Sequence, residues 1–290
     1  MWASRSGGAP DMHGGMNRSG MTVDPTPWFE RAPDLAAPLR MFCFPYAGGD
    51  AHIFRGWQKR VPEGVNVCPI YLPGRGRRMA EPRHRRMESL VRAVAEAVAP
   101  WAGAPFVLFG HSMGAIISFE LARLLDRRFG VSPVRLLVSG RIAPQEPDLD
   151  PPTYNLPQRE FLLELKRLNG TDEELLANSE AMELLTPIVR ADFEAVQTYS
   201  FVEGPRLRCP ITAYGGLADI DTPRERVESW RAVTESQTVV KMFPDGHFFI
   251  NARGNSFFQA LAEDLQTALQ DVKAAGRPPG EGRENRNQTA

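Results

Sequence analysis

Short apolar runs and helical patterns alternate along the chain. Six runs have the length and composition of buried strands, and they lie at 39–44, 65–72, 106–109, 134–139, 211–214 and 238–243. Four other stretches space their apolar residues like one face of a helix, at 86–99, 115–128, 223–234 and 256–272. Strands that alternate with helices predict an α/β fold with a mostly parallel sheet and helices on both faces.

The alternation is interrupted once, between residues 140 and 210. A proline-rich stretch comes first, and four helical patterns with no strand between them follow, at 158–168, 172–178, 180–185 and 188–198. An all-helical insertion between two strands usually lies over one edge of the sheet, and in an enzyme it forms a lid or a substrate-binding cap. We therefore expect a helical lid over about 145–200.

The two ends of the chain have compositions that disfavour a packed core. Residues 1–20 contain five glycines and few large apolar side chains, and residues 276–290 contain no large apolar side chain. Such segments cannot bury enough apolar surface to offset chain entropy. We expect a flexible segment over 1–35, one domain over 36–273 and a disordered tail over 274–290.

The overall composition narrows the class of protein. The chain has 290 residues, of which 42% are hydrophobic, and a formal net charge of −1. This excludes wholesale disorder and gives no basic character that would indicate nucleic acid as the main partner. No stretch approaches the roughly 20 apolar residues that cross a bilayer, and the N-terminus lacks the apolar core of a signal peptide. The three cysteines have no metal-binding spacing, so we expect buried thiols in a reducing cytoplasm.

The clearest chemical motif is Gly-His-Ser-Met-Gly at 110–114. It follows a predicted buried strand and precedes a predicted helix. A chain that turns sharply from strand to helix exposes the hydroxyl of the central serine, and the flanking glycines supply the space that the turn needs. We therefore predict that Ser112 is a nucleophile.

A serine hydroxyl needs a base to take its proton and a carboxylate to orient that base. In proteins with this kind of turn, the acid and then the histidine follow the serine along the chain. Of the five histidines only His247 follows Ser112. Two aspartates follow the predicted strand at 211–214, and we choose Asp219 as the acid, with Asp221 as the alternative.

Two backbone N–H groups are expected to stabilise the negative charge that develops on the substrate oxygen. One belongs to the residue after the nucleophile, Met113, and the other comes from the turn after an early strand. The segment 44–49 follows the first predicted strand and ends in two glycines. We choose the N–H of Tyr46, with Ala47 as the next choice, and we expect neither a metal nor a cofactor.

A basic segment at 75–86 contains six arginines. Such a run is commonly a solvated loop. The alternative interpretation is a surface that binds a phosphate-bearing or acidic partner.

Together these motifs resemble one family, the type II (editing) thioesterases of polyketide and nonribosomal peptide synthesis, within the α/β-hydrolases. The resemblance covers about 35–270. The matching segments are Phe44-Pro-Tyr-Ala-Gly-Gly, Tyr71-Leu-Pro-Gly-Arg-Gly, Gly110-His-Ser-Met-Gly-Ala, Tyr214-Gly-Gly-Leu-Ala-Asp and Gly246-His-Phe-Phe. The second and the last of these separate the family from generic lipases and esterases.

The resemblance implies an α/β-hydrolase fold with an inserted helical lid. It also implies hydrolysis of aberrant or stalled acyl groups from the phosphopantetheine arm of an acyl or peptidyl carrier protein. Because carrier proteins of this type are acidic, the basic segment 75–86 is a candidate docking surface. We expect a monomer. Two alternatives stay open, a hydrolase of small acyl-CoA or free esters and a non-catalytic interaction protein with the same fold.

Overall fold

Six strands form one sheet in the part of the chain that the structure describes. The computed structural model describes residues 27–148, 150–168, 178–252 and 254–276. The strands are β1 (Leu39–Phe44), β2 (Val65–Pro69), β3 (Phe106–His111), β4 (Arg135–Ser139), β5 (Ile211–Gly216) and β6 (Thr238–Phe243). Their order in the sheet is β2-β1-β3-β4-β5-β6, and all five neighbouring pairs are parallel. The prediction of a mostly parallel sheet is confirmed.

Helices cover both faces of this sheet. The described helices are α1 (Met87–Val98), α2 (Met113–Phe129), α3 (Gln158–Arg167), α4 (Ser179–Gln197), α5 (Arg224–Glu228) and α6 (Ser256–Ala275). Side chains of a strand point alternately to opposite faces. In β1, Phe42 therefore packs with α1 and α2 on one face, and Met41 packs with α6 on the other.

Strand β2 is shorter than predicted. The apolar run continues to residue 72, but the strand ends at Pro69, which is its last residue paired with β1. Proline has no N–H to donate to a neighbouring strand, so it is tolerated at the edge of a sheet and not in its centre. β2 is one of the two edge strands of the described sheet.

Helices α3 and α4 occupy the predicted lid between β4 and β5. The two helices predicted at 180–185 and 188–198 form the single helix α4, which contains Pro187. Proline usually interrupts a helix because it removes one hydrogen bond and crowds the preceding turn. Here Met182 and Val189, on either side of Pro187, are both buried against α3, so one continuous apolar face holds the helix together. The predicted helix at 172–178 lies almost wholly outside the described residues.

The structure also differs from the prediction for the first residues of the body. Phe29 falls in the segment predicted to be flexible, yet its side chain is only 1% exposed. Its ring packs 6.1 Å from the rings of both Phe42 and Trp101. The backbone is held as well, because the N–H of Tyr71 donates to the carbonyl of Trp28 at 2.9 Å. Packed residues therefore begin before residue 36, and two adjacent aromatic residues with no apolar periodicity around them are too weak a pattern to predict this.

Phe29→Ala should lower the free energy of unfolding by about 3–5 kcal/mol, because it removes a buried aromatic ring. Leu35→Ala is the matched control, since this side chain is in the same segment and is 65% exposed. It should change stability by less than about 0.5 kcal/mol. Urea unfolding followed by circular dichroism measures both, and equal effects would contradict the packing of Phe29.

Candidate active site

Ser112 lies in a strained turn between β3 and α2. Its φ is 54° and its ψ is −112°, and among the described residues it is the one residue other than glycine with a positive φ. Such a conformation costs of order 1–3 kcal/mol and persists only where the surroundings hold it. The N–H of Ser112 donates to the carbonyl of Ser139 in β4 at 2.7 Å, which anchors the turn to the sheet.

The two glycines of the motif are required by close backbone contacts. A Cβ at Gly110 would overlap the carbonyl of Gly114, so β3 and α2 could not meet in this turn. A Cβ at Gly114 would overlap the carbonyl of Phe44, the last residue of β1. The second contact brings the loop after β1 directly against the start of α2. The two segments predicted to supply oxyanion donors are therefore neighbours.

His247 and Asp219 form a close pair. Nδ1 of His247 lies 2.6 Å from Oδ2 of Asp219, and because a carboxylate only accepts, Nδ1 carries the proton. Asp219 also accepts from the hydroxyl of Thr222 at 2.6 Å and from the N–H of Asp221 at 3.1 Å. Burial raises the pKa of Asp219. The hydrogen bond and the charge of His247 lower this pKa, as do the hydrogen bonds from Thr222 and Asp221, and together they outweigh the effect of burial. The net pKa lies below its ordinary value, so the carboxylate is ionised at neutral pH.

The loops after β5 and β6 bring this pair together. A Cβ at Gly216 would overlap the carbonyls of Asp245 and Gly246, so glycine is needed for the two loops to touch. The N–H of Leu217 donates to the carbonyl of Phe243 at 2.7 Å and fixes their register.

Asp221, the alternative acid, faces a different partner. Its carboxylate lies 3.5 Å from the guanidinium of Arg167, at the end of α3. Only its backbone N–H contacts Asp219. The geometry therefore favours Asp219 as the residue that orients His247.

A cavity of about 370 Å³ lies above these residues and beneath the lid helices. Ser112, His247, Met113 and Tyr46 all line it, and the lid contributes apolar side chains from α3 and α4: Leu165, Leu185, Val189, Phe193 and Val196. Met113 is the first residue of α2, so its N–H has no acceptor within the helix and is free to bind an oxyanion. This arrangement suits nucleophilic attack on an acyl group that is shielded from water.

Comparison with known proteins identifies the family. The family model described as a thioesterase domain matches residues 39–269. The chain belongs to the thioesterase family. The α/β-hydrolase-like fold and the enzyme class that the resemblance implied are thereby confirmed.

Three relatives show how closely the thioesterase matches proteins of known pathways. It is 41% identical over 243 residues to the gramicidin S biosynthesis protein GrsT of Aneurinibacillus migulanus, covering 83% of this chain and 95% of that protein. The structure of RedJ, a thioesterase of the prodiginine pathway in Streptomyces coelicolor, is similar with a TM-score of 0.75 at 36% identity, covering 87% and 96% of the two chains. BorB, a type II thioesterase from the borrelidin cluster, has a TM-score of 0.75 at 30% identity, covering 83% and 97%.

One buried residue beside the site escaped the sequence analysis. His111 is fully buried, its Nδ1 lies 2.9 Å from the hydroxyl of Ser139, and its ring centroid lies 5.1 Å from that of His247. Burial lowers the pKa of His111 well below its ordinary value, and the charge of His247 lowers it further. His111 is therefore neutral at physiological pH. Its position just before the proposed nucleophile was the available signal, but nothing in the sequence indicated which group it would contact.

The basic segment 75–86 is largely paired within the molecule. Arg75 and Arg78 are buried, and they bind Asp192 and Glu81 respectively. Two more arginines of the segment, Arg85 and Arg86, both bind Glu194 on α4. These ion pairs leave much less free positive charge than the sequence suggests, and those with Asp192 and Glu194 tie the segment to the lid. Charge counting could not predict the pairs with Asp192 and Glu194, because these partners lie more than 100 residues away along the chain.

Asp219→Asn should reduce kcat of the thioesterase by about 10²- to 10⁴-fold, because the amide can hold the imidazole in the wrong tautomer. Asp221→Asn should change kcat by no more than about threefold, since its backbone bond to Asp219 is kept and only a surface ion pair is lost. Steady-state hydrolysis of an acyl thioester measures both variants. The reverse ranking would assign the acid to Asp221.

Proposed function

We propose that this thioesterase hydrolyses aberrant or stalled acyl groups from the phosphopantetheine arm of acyl or peptidyl carrier proteins, with Ser112, His247 and Asp219 as its catalytic triad. The observation that carries the proposal is the strained Ser112 in one cavity with the His247–Asp219 pair, beneath an apolar lid. The roles of relatives in gramicidin S and prodiginine biosynthesis support a carrier-bound substrate.

The reaction begins when Oγ of Ser112 attacks the thioester carbonyl carbon. His247 accepts the hydroxyl proton at Nε2, because its Nδ1–H is committed to Asp219. The N–H groups of Met113 and Tyr46 stabilise the negative oxygen of the tetrahedral intermediate. When the C–S bond breaks, the imidazolium gives its proton to the leaving thiolate, and an acyl-serine ester remains.

Hydrolysis of the acyl-enzyme repeats these steps with water as the nucleophile. His247 takes a proton from water as the oxygen attacks the ester carbonyl, and it then returns the proton to Oγ of Ser112. The carboxylic acid is released and the serine is regenerated. Asp219 stays ionised in both halves of the reaction, in keeping with its lowered pKa.

The volume of the cavity indicates the size of the substrate that it can hold. A volume of about 370 Å³ lies within the range of small-molecule sites, so it suits one acyl group at the end of a thin arm.

The cysteines Cys43, Cys68 and Cys209 are free and buried, which favours a reducing cytoplasm.

A fluorophosphonate probe should label the native protein at Ser112, and Ser112→Ala should be unlabelled and slower in hydrolysis by at least about 10³-fold. Ser118→Ala is the matched control, because this serine lies on α2 but is fully buried, with no hydrogen-bond partner for its hydroxyl. It should label like the native protein. Absence of labelling in the native protein would favour a non-catalytic role.

Carrier specificity needs a separate measurement. We expect kcat/KM on an acyl-carrier protein to exceed that on the same acyl group carried by free pantetheine by at least about tenfold, because binding to the carrier lowers the energy of the transition state. The two substrates share the reacting atoms, so the ratio isolates the carrier. Equal values would support the alternative, a hydrolase of small acyl thioesters.

A further inference from the structure

A buried ion pair joins the lid to the body of the protein. Arg75, in the loop after β2, binds Asp192 of α4 in a two-pronged contact, with Nη1–Oδ2 and Nη2–Oδ1 distances of 2.6 Å. The two side chains are only 5% and 2% exposed. Burying two charges is costly, and it is repaid only when geometry is good and the remaining lone pairs and protons find partners.

The turn 46–49 uses part of the remaining hydrogen-bonding capacity of this pair, while Nε of Arg75 has no partner among the described residues. The N–H of Gly48 donates to Oδ2 of Asp192 at 2.7 Å, and Nη1 of Arg75 donates to the carbonyl of Gly49 at 3.1 Å. The turn is closed by the N–H of Gly49, which donates to the carbonyl of Tyr46 at 2.9 Å. None of these bonds uses the N–H of Tyr46, the proposed oxyanion donor.

The same turn rests on the lid helix at a second point. Gly48 has a φ of +77°, and a Cβ there would lie 2.8 Å from Cγ2 of Val189. Val189 and Asp192 are three residues apart, so they lie on one face of α4. One face of α4 therefore contacts the turn at two points, through the side chain of Val189 and through the hydrogen bond from Gly48 to Asp192.

The choice of side chains argues for a role beyond stability. A pair of apolar residues of similar volume often stabilises a buried site as well as an ion pair does. An apolar pair has no acceptor for the N–H of Gly48. Asparagine has one oxygen. In the place of Oδ2 this oxygen can accept from Gly48 and from Nη1 of Arg75, but the amide NH2 then faces Nη2 of Arg75, donor against donor. A carboxylate accepts from all three donors, the N–H of Gly48 and both Nη atoms of Arg75.

We propose that Asp192, held by Arg75, is a positioning residue that couples lid helix α4 to the oxyanion-binding turn 46–49. The place of the lid then sets the direction of the Tyr46 N–H. This rests on the proposed function, in which that N–H stabilises the tetrahedral intermediate. Because the charge on the substrate oxygen develops only in the transition state, loss of the coupling lowers kcat much more than it raises KM.

The test compares three variants on one acyl thioester, with active sites counted by fluorophosphonate labelling. Asp192→Asn should lower kcat by about 10- to 100-fold, less than the full loss of one oxyanion donor, with KM within about threefold. The double variant Arg75→Met with Asp192→Leu removes both charges and should fold with near-native thermal stability, yet show a similar loss of kcat. Arg75→Lys keeps the bond from Asp192 to Gly48, so its loss should be smaller than that of Asp192→Asn.

Glu194→Gln is the matched control. Glu194 also pairs α4 with arginines of the basic segment 75–86, but neither of these ion pairs includes the turn 46–49. This variant should keep kcat within about twofold, the effect typical of a surface ion pair. A comparable loss in Glu194→Gln would show that any weakening of the lid slows the enzyme, and it would overturn the specific role of Asp192.

The remaining outcomes separate this inference from the proposed function. A double variant that is stable and has native kcat overturns the coupling, because the pair would then be purely structural. If the double variant folds poorly, native kcat per labelled site in Asp192→Asn overturns the coupling equally. Failure of the native protein to label at Ser112 would instead overturn the proposed function.

Discussion

The strained turn at Ser112 is the constraint on which the rest of the site depends. Its positive φ exposes the hydroxyl at the end of β3, and it is possible only because Gly110 and Gly114 have no side chains. The strain, of order 1–3 kcal/mol, is offset by the burial of β3 and α2 on either side of it. The absence of a side chain at Gly114 also lets the end of β1 approach, so one local geometry positions both the proposed nucleophile and the turn that faces it.

The parallel sheet explains how distant residues meet at this turn. In a parallel sheet the carboxyl ends of all strands lie at one edge, and the loops that follow them share a crevice. The loops after β1, β3, β5 and β6 supply Tyr46, Ser112, Asp219 and His247 respectively. Two of these loops, after β5 and β6, touch each other through Gly216. The site is therefore a consequence of topology, and the lid helices α3 and α4 line the cavity opposite these loops.

The sequence predicted the parallel sheet well, and it suggested the site residues, because both depend on local signals. Apolar periodicity located the strands, and chain order selected His247 as the base. The contacts that were not predicted are of a different kind. Phe29 packs into the core from a polar segment, and Arg75 meets Asp192 across 117 residues. Long-range pairing of charges has no periodic signature, so a run of arginines looks the same whether it faces solvent or a buried carboxylate.

The neutral state of His111 limits the positive charge around the site. In the proposed mechanism His247 becomes a cation during acyl transfer, and Asp219 is the anion that stabilises it. A second positive charge at the 5.1 Å that separates the two imidazole rings would oppose this by about 3 kcal/mol at an effective dielectric constant of about 20. Burial removes that penalty by keeping His111 unprotonated, while its Nδ1 holds the hydroxyl of Ser139. The carbonyl of the same residue, Ser139, accepts the N–H of Ser112, so the neutral ring of His111 helps to fix the strained turn. Because this ring carries no charge, it does not compete with His247 for the carboxylate of Asp219.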